Sequence, residues 1–265
     1  MLLREIQEQI NEFVLTNPKN FIENVETIST TPTSFDRMQI WETPLLGIAS
    51  ADDPLWEALK NPEAVGVHHK SPEEWMPGAK SVISYFLPYT ERIRSANRIA
   101  EVTATEWLYG RWEGEILNDA LRSFVVELVE KNGGRAIAPV RDQRYEVLEM
   151  RSNWSERHAA FIAGLGTFSL SRALITKRGL AGRFGSVIVD VSLEPTQREY
   201  SDIYEYCSKC MACARRCPPQ AIDKNGKDNQ MCRLHIGMEK EKYNPRYGCA
   251  KCQAGVPCEA KIPGE

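Results

Sequence analysis

Cysteine is missing from the first 206 residues, and all eight thiols fall between residues 207 and 258. A disulfide framework spreads its cysteines to staple distant loops, so this placement excludes a stapled secreted scaffold. Histidine is scarce too, at four residues, two of them the adjacent pair His68–His69. That pair reads as a solvated turn, because sequence neighbours rarely share one metal geometry without a third partner. No stretch approaches the run of about eighteen apolar, uncharged residues that a membrane span needs. The opening residues, Met1-Leu2-Leu3-Arg4-Glu5-Ile6, carry charge at once and lack the apolar core of an export signal, so a cytoplasmic protein is expected. Repeats and low-complexity tracts are absent. Disorder is excluded as well, since a chain that is 42% hydrophobic and carries a formal net charge of only −3 can offset its ordering entropy.

The small net charge hides a division. From Cys207 to the end there are 11 Lys/Arg against 6 Asp/Glu, net +5, leaving 22 against 30, net −8, for residues 1–206. Cations around cysteines suit thiolates and the anionic clusters they hold. The acidic front part argues against a broad nucleic-acid face. Two domains are expected, an α/β cofactor and substrate domain over 1–200 and a small cysteine domain over 201–265.

Periodicity places the elements of the front part. Ile6, Ile10, Phe13 and Val14 lie at helical spacing before Asn17-Pro18. Thr43 to Ala49 reads as a short strand and turn, and Ser81 to Leu87 as a buried strand stopped by Pro88. The strongest helix runs from Ile116 to Val129 and closes at Asn132-Gly133-Gly134. Ala136 to Val140 is a short strand, Ser155 caps a helix reaching Ala163, and Leu174-Ile175 and Phe184 to Val191 are strands. Trp107, Tyr109 and Trp112 read as core aromatics at the start of the long helix. The alternation predicts a mixed α/β or α+β domain of helices packed on a sheet, with strand direction left open.

Cys207-x2-Cys210-x2-Cys213-x3-Cys217-Pro218 is the bacterial ferredoxin run for a [4Fe–4S] cluster. Three cysteines at two-residue gaps wrap one cubane corner, and the fourth, redirected by proline, reaches a neighbouring cluster. Two clusters need eight thiolates, the number present. Order and spacing pair Cys207, Cys210, Cys213 and Cys258 on one cluster, and Cys217, Cys232, Cys249 and Cys252 on the other. Four-cysteine zinc sites are the alternative.

Glu156-Arg157, then Ala163-Gly164-Leu165-Gly166, Leu174-Ile175, Gly185-Ser186, Asp190 and Leu193, followed by the eight-cysteine tail, resemble the epoxyqueuosine reductase family, which is related to the catalytic part of reductive dehalogenases. Pro77 to Ile83 and Leu87-Pro88-Tyr89 match that family's first core strand. The resemblance spans roughly residues 40 to 258. It implies a flavin-reductase-like (nitroreductase-like) domain holding base-off cobalamin, followed by a ferredoxin-like domain with two [4Fe–4S] clusters, the nearer of which reduces the cobalt. Gly164, Leu165, Gly166, Gly185 and Ser186 are then the expected cofactor contacts.

Three departures from the family are visible. Its catalytic aspartate, six residues before Glu-Arg, is replaced by Met150. Cys258 is followed by Glu259 instead of proline after a longer gap from Cys252. The chain also ends seven residues past Cys258, without the helical repeats that help family members hold tRNA. Candidate catalytic residues become Asp142, Trp154, Ser155 and His158. The expected function is an iron–sulfur oxidoreductase that uses cobalamin on an unidentified small-molecule substrate and is fed by a ferredoxin or flavodoxin. The alternatives are a cobalamin-free electron carrier for a protein partner and, with tRNA as an improbable partner, an epoxyqueuosine reductase.

Overall fold

The apolar spacing at the N-terminus does form a helix, α1 (Leu3–Thr16), which turns Ile6, Ile10 and Val14 inward. The computed structural model describes residues 3–23, 35 and 37–264. Strands β1 (Leu45–Ser50) and β2 (Ser81–Pro88) are followed by helices α2 (Glu91–Ile99) and α3 (Thr105–Lys131). Next come β3 (Ala136–Ile137), the hairpin β4–β5 (Val147–Leu148 and Arg151–Ser152), α4 (Glu156–Ile162), the pair β6–β7 (Gly166–Phe168 and Leu174–Thr176) and β8 (Gly182–Val189). The cysteine tail contributes the short α5 (Ala212–Arg215) and α6 (Asn229–Tyr243).

The main sheet has the order β1-β2-β8-β3, antiparallel at every pairing, with Leu45 opposite Phe86, Gly182 opposite Pro88 and Val189 opposite Ala136. Every residue of β2 is buried, which an antiparallel strand shows only when both sheet faces are covered. The two-residue side-chain period sorts the faces. Ile83, Tyr85, Leu87, Val187 and Val189 join α1 and the Leu117–Leu121–Val125–Val129 stripe of α3 in the larger core. Val82 and Ile188 face the other way, onto Ala159 and Ile162 of α4 and the tryptophans 56, 75 and 154. The fold is therefore a mixed, three-layer arrangement of helices around an antiparallel sheet.

Two expectations change. The long helix begins at Thr105, where buried Trp107, Leu108 and Tyr109 extend its inner face beyond the stripe; Gly110 and Gly114 interrupt the apolar pattern although both are buried. The expected strand from Ala136 to Val140 pairs only at Ala136 and Ile137, and a 3-10 turn over Pro139–Arg141 takes its place, since proline has no N–H for a ladder.

After β8 the chain runs without regular structure and lies along the sheet edge, where the Thr196 N–H donates to the Ile48 carbonyl at 2.9 Å. The cysteine tail then folds back on α2. Lys251, buried at 4% exposure, donates to the carbonyls of Asn97 and Ala100 at 3.0 and 2.6 Å. Asn97 returns a bond to the Cys249 carbonyl at 3.0 Å, and Glu259 receives Arg98 at 2.6 Å. Among the described residues no helix is long and apolar enough to cross a membrane.

Candidate functional site

A cleft of about 750 Å³ opens between the front part and the cysteine tail. Its walls come from the first half of α3, the start of α4, the first residues of β8 and the tail loop that carries Tyr247, Ala250 and Gln253. Aromatic rings supply much of the wall, with Trp112, the most exposed of them, at 39%. Arg111 stacks its guanidinium 4.4 Å above the Tyr247 ring, a contact that ties α3 to the tail across the cleft.

The floor is polar. Glu156, the first residue of α4, accepts a hydrogen bond from the buried Ser186 hydroxyl, and Ser186 in turn receives the Trp154 indole N–H at 2.9 Å. Arg122 lies 3.3 Å from the Glu156 Oε1 and also binds Glu115 at 2.9 Å and Asp119 at 2.7 Å. Burial raises the Glu156 carboxyl above its ordinary range despite the opposing pull of Arg122. Its Oε1 is buried with no hydrogen-bond donor satisfying it among the described residues.

The residues expected from the sequence to act here divide. Trp154 and Ser155 line the cleft. His158 sits behind it, bonded to Ser155 Oγ at 2.7 Å and packed on Phe168, and burial lowers its pKa to about 3. An imidazole so poised holds no proton near neutrality, which removes it as an acid. Asp142 lies apart from the cleft in a salt bridge of 2.8 Å with Arg144, which holds its carboxyl below the usual range. Met150 occupies the turn of the β4–β5 hairpin with φ +66 and 42% exposure. His69, read as solvated, is 1% exposed beside Trp154.

None of the five expected cofactor contacts lines the cleft. Gly164 forms the left-handed turn after α4, at φ +80. Gly166 lies so close to β7 that a Cβ would stand 1.9 Å from the Ile175 carbonyl, so glycine is required by packing. Leu165 fills a small apolar cluster with Phe168 and Leu174. Gly185 gives room to the Tyr85 ring, and Ser186 acts from beneath the cleft through Glu156. Sequence reasoning passed over Arg111, Arg122 and Arg183, which line the cleft. The signal available was the direct adjacency of Arg183 to Phe184-Gly185-Ser186 and of Arg111 to Trp112.

The cysteines gather in two sets. Cys207, Cys210, Cys213 and Cys258 ring one hollow beneath β7. Cys252 lies within electrostatic range of Cys249, Cys232 and Cys217, as Cys258 does of Cys207, Cys213 and Cys210. Lys209, Met211 and Ala250, between paired cysteines, take left-handed backbone at φ 52, 61 and 51. Non-glycine residues rarely accept that conformation, and such turns can present backbone N–H groups to an anion; the Lys251 N–H, after Ala250, bonds the Cys249 thiol, and the Ala221 N–H, after left-handed Gln220, reaches Cys217 Sγ at 3.3 Å. Burial and neighbouring thiols raise Cys252 and Cys258 to about 12, so without metal both remain protonated. Among the described residues no three of His, Cys, Asp and Glu are gathered tightly enough for a single ion.

The chain is similar to curated proteins named epoxyqueuosine reductase. It is 28% identical to the one from Francisella cf. novicida over 211 residues, covering 70% of this chain and 54% of that protein. It thus spans about half the length of that relative. Among solved structures, a selenomethionine-labelled epoxyqueuosine reductase matches with TM-score 0.50 and 18% identity, covering 97% of this chain and 66% of the other. A reductive dehalogenase, whose structure suggests a mechanism for B12-dependent dehalogenation, matches with TM-score 0.52 and 15% identity over 96% and 36%. These structural likenesses concern the fold. No protein-family model matches the chain.

Proposed function

We propose that this chain is an iron–sulfur oxidoreductase of the epoxyqueuosine reductase type, in which two [4Fe–4S] clusters deliver electrons to base-off cobalamin in the cleft for reductive cleavage of a small substrate. The observation that carries the reading is the separation of eight cysteines into two sets of four, beside a cleft that the same tail helps to wall. The donor sets fit clusters: each offers four thiols, and backbone N–H groups reach sulfur in both, from Ala214 to Cys213 and from Lys251 to Cys249. Metal binding would stabilise the thiolates that burial opposes. The cleft fits a large cofactor in size and in the buried Nε of Arg111, which has no partner among the described residues. On this reading the front domain is nitroreductase-like and the tail ferredoxin-like, and a ferredoxin or flavodoxin feeds the clusters.

A bound cobalamin would supply a strongly reducing, nucleophilic metal centre. The chain's own contribution is positional and protonic. Glu156 is the cleft carboxyl best placed to hold and move a proton, because burial raises it above its ordinary range even with Arg122 3.3 Å from Oε1. Ser186 and Trp154 fix its other oxygen and its rotamer. Glu156 thus takes the place of the acid that family resemblance sought at Met150. The aromatic walls exclude water from the reacting bond.

Anaerobic reconstitution followed by iron and cobalt quantification tests the reading. About eight irons per chain, with stoichiometric cobalt and a base-off spectrum, is the expected result. Eight irons without retained cobalt would favour a cobalamin-free electron carrier instead. Cys252→Ser should lose about four irons while leaving the set containing Cys258 loaded.

A further inference from the structure

The charges lining the cleft do not balance. Four guanidinium groups, Arg111, Arg122, Arg157 and Arg183, face three carboxyls, Glu115, Asp119 and Glu156. All three carboxyls are engaged by Arg122, at 2.9, 2.7 and 3.3 Å. Arg183 has one carboxylate contact, the second oxygen of Glu115 at 3.7 Å, and also bonds the Tyr89 hydroxyl. Arg111 and Arg157 make no ion pair among the described residues. Arg157 donates to the backbone carbonyl of Arg172, and the charges nearest it are the like charges of Arg172 and Arg183. Arg111 leans on the Tyr247 ring, keeps its buried Nε unsatisfied and is repelled by Arg183.

Cations crowded in a partly desolvated cleft destabilise the fold unless something offsets them. Among the described residues no carboxylate offsets Arg111 or Arg157. Guanidinium groups match carboxylate and phosphate oxygens through paired N–H donors. The same cleft supplies Trp107, Trp112, Phe184 and Tyr247 as apolar walls for a flat body.

We propose that the ligand of this cleft carries a carboxylate or phosphate, which is received between Arg111, Arg157 and Arg183 while its apolar part lies against the aromatic walls. The inference rests on the cleft being the working site of the proposed reductase. A negative group of this kind belongs either to the substrate or to the phosphate of a cobalamin tail, and the experiment separates the two.

The test uses cluster-reconstituted protein at fixed ionic strength, with benzoate and its neutral counterpart benzamide as probes. Quenching of tryptophan fluorescence reports binding, since Trp107, Trp112 and Trp154 line the cleft. Benzoate should bind at least about tenfold more tightly than benzamide, and Arg183→Gln should weaken benzoate roughly tenfold or more, as loss of charge-assisted hydrogen bonds predicts. Arg157→Gln should weaken benzoate as well, and its melting curve shows that the variant folds. Equal binding of the two probes, or benzoate binding unchanged in both arginine variants, overturns the proposal.

Repeating the titration with cobalamin present identifies the source of the charge. Benzoate binding that persists assigns the anion to the substrate. Benzoate displaced by cobalamin but not by cobinamide, which lacks the nucleotide phosphate, assigns it to the cofactor tail. If cobalamin fails to bind while benzoate discrimination holds, the cofactor reading falls and the anion site stands.

Discussion

Glu259 stands directly after Cys258 and is 5% exposed, and it joins the cysteine tail to the front part. Its Oε2 accepts the Gly255 N–H at 2.6 Å, closing the loop that carries Cys258. Arg98 of α2 binds both carboxylate oxygens, at 2.6 and 3.3 Å, and Arg94 lies 3.9 Å away. Its backbone carbonyl receives the Ala181 N–H at 3.1 Å, which any side chain would preserve. Glu259→Ala leaves the Gly255 N–H without an acceptor, a loss of about 1.5–3 kcal/mol for a bond to a charged group. The Arg98 part is smaller, because Arg98 is 41% exposed and keeps Glu91 at 3.2 Å; about 0.5–1 kcal/mol is appropriate for such a pair. A total of roughly 2–4 kcal/mol corresponds to a melting-temperature drop of about 5–15 °C in a chain of this size. Glu259→Gln retains an acceptor oxygen for Gly255 and should lose only about 2–4 °C. Thermal unfolding read by circular dichroism, with iron retention measured in parallel, checks this. The alanine variant should also lose iron from the Cys258 set first. An alanine variant melting within 2 °C of wild type, or a glutamine variant as damaged as the alanine one, would refute the clamp.

Glu156→Gln tests the proton-holding role through stability. A carboxyl raised in the fold stabilises fully only below its ordinary value of 4.5, and that contribution is lost as pH rises through the folded value. The glutamine variant should therefore gain on wild type in urea unfolding as pH rises above 4.5, and a difference that does not change with pH would rule the shift out. Met150→Asp should bring no epoxide-opening activity to the reconstituted protein, because residue 150 occupies an exposed hairpin turn and does not line the cleft; a clear gain in turnover would contradict that geometry. His69 is buried and lowered to about 4. It is neutral in the fold but takes up a proton on unfolding, so its contribution is present above about pH 6.5 and lost as pH falls towards 4, with a slope of up to ~1.4 kcal/mol per pH unit. His69→Phe should flatten the acid limb of a stability–pH curve, and an unchanged limb would show that other groups carry it.

Periodicity and spacing were enough to locate most of the elements. Apolar recurrence at 3.6 residues marks α1 and the C-terminal half of α3, and runs of β-branched and aromatic residues mark β2 and β8. These signals are local, because each element must present one face to a core whatever its partners are. The two cysteine sets were legible for a similar reason: short gaps force Cys207, Cys210 and Cys213 around one centre, and the remaining thiols follow by order.

What chain order could not convey was which distant residues share a cavity. Gly164, Gly166 and Gly185 stand out in the sequence, yet close packing of neighbouring backbone and rings consumes their freedom. Asp142 was proposed for its nearness in sequence, but Arg144 neutralises it away from the cleft. Glu156 and the cleft arginines come from α3, α4 and β8, separated by up to 72 residues between Arg111 and Arg183. Their pKa values and charge balance depend on burial and mutual distance, quantities that arise only when the sheet is assembled. The sequence by itself determined the helices, the strands and the grouping of cysteines in the tail. Only the tertiary structure decided where the cleft lies and which groups charge it, because desolvation and Coulomb interaction act through space and not along the chain.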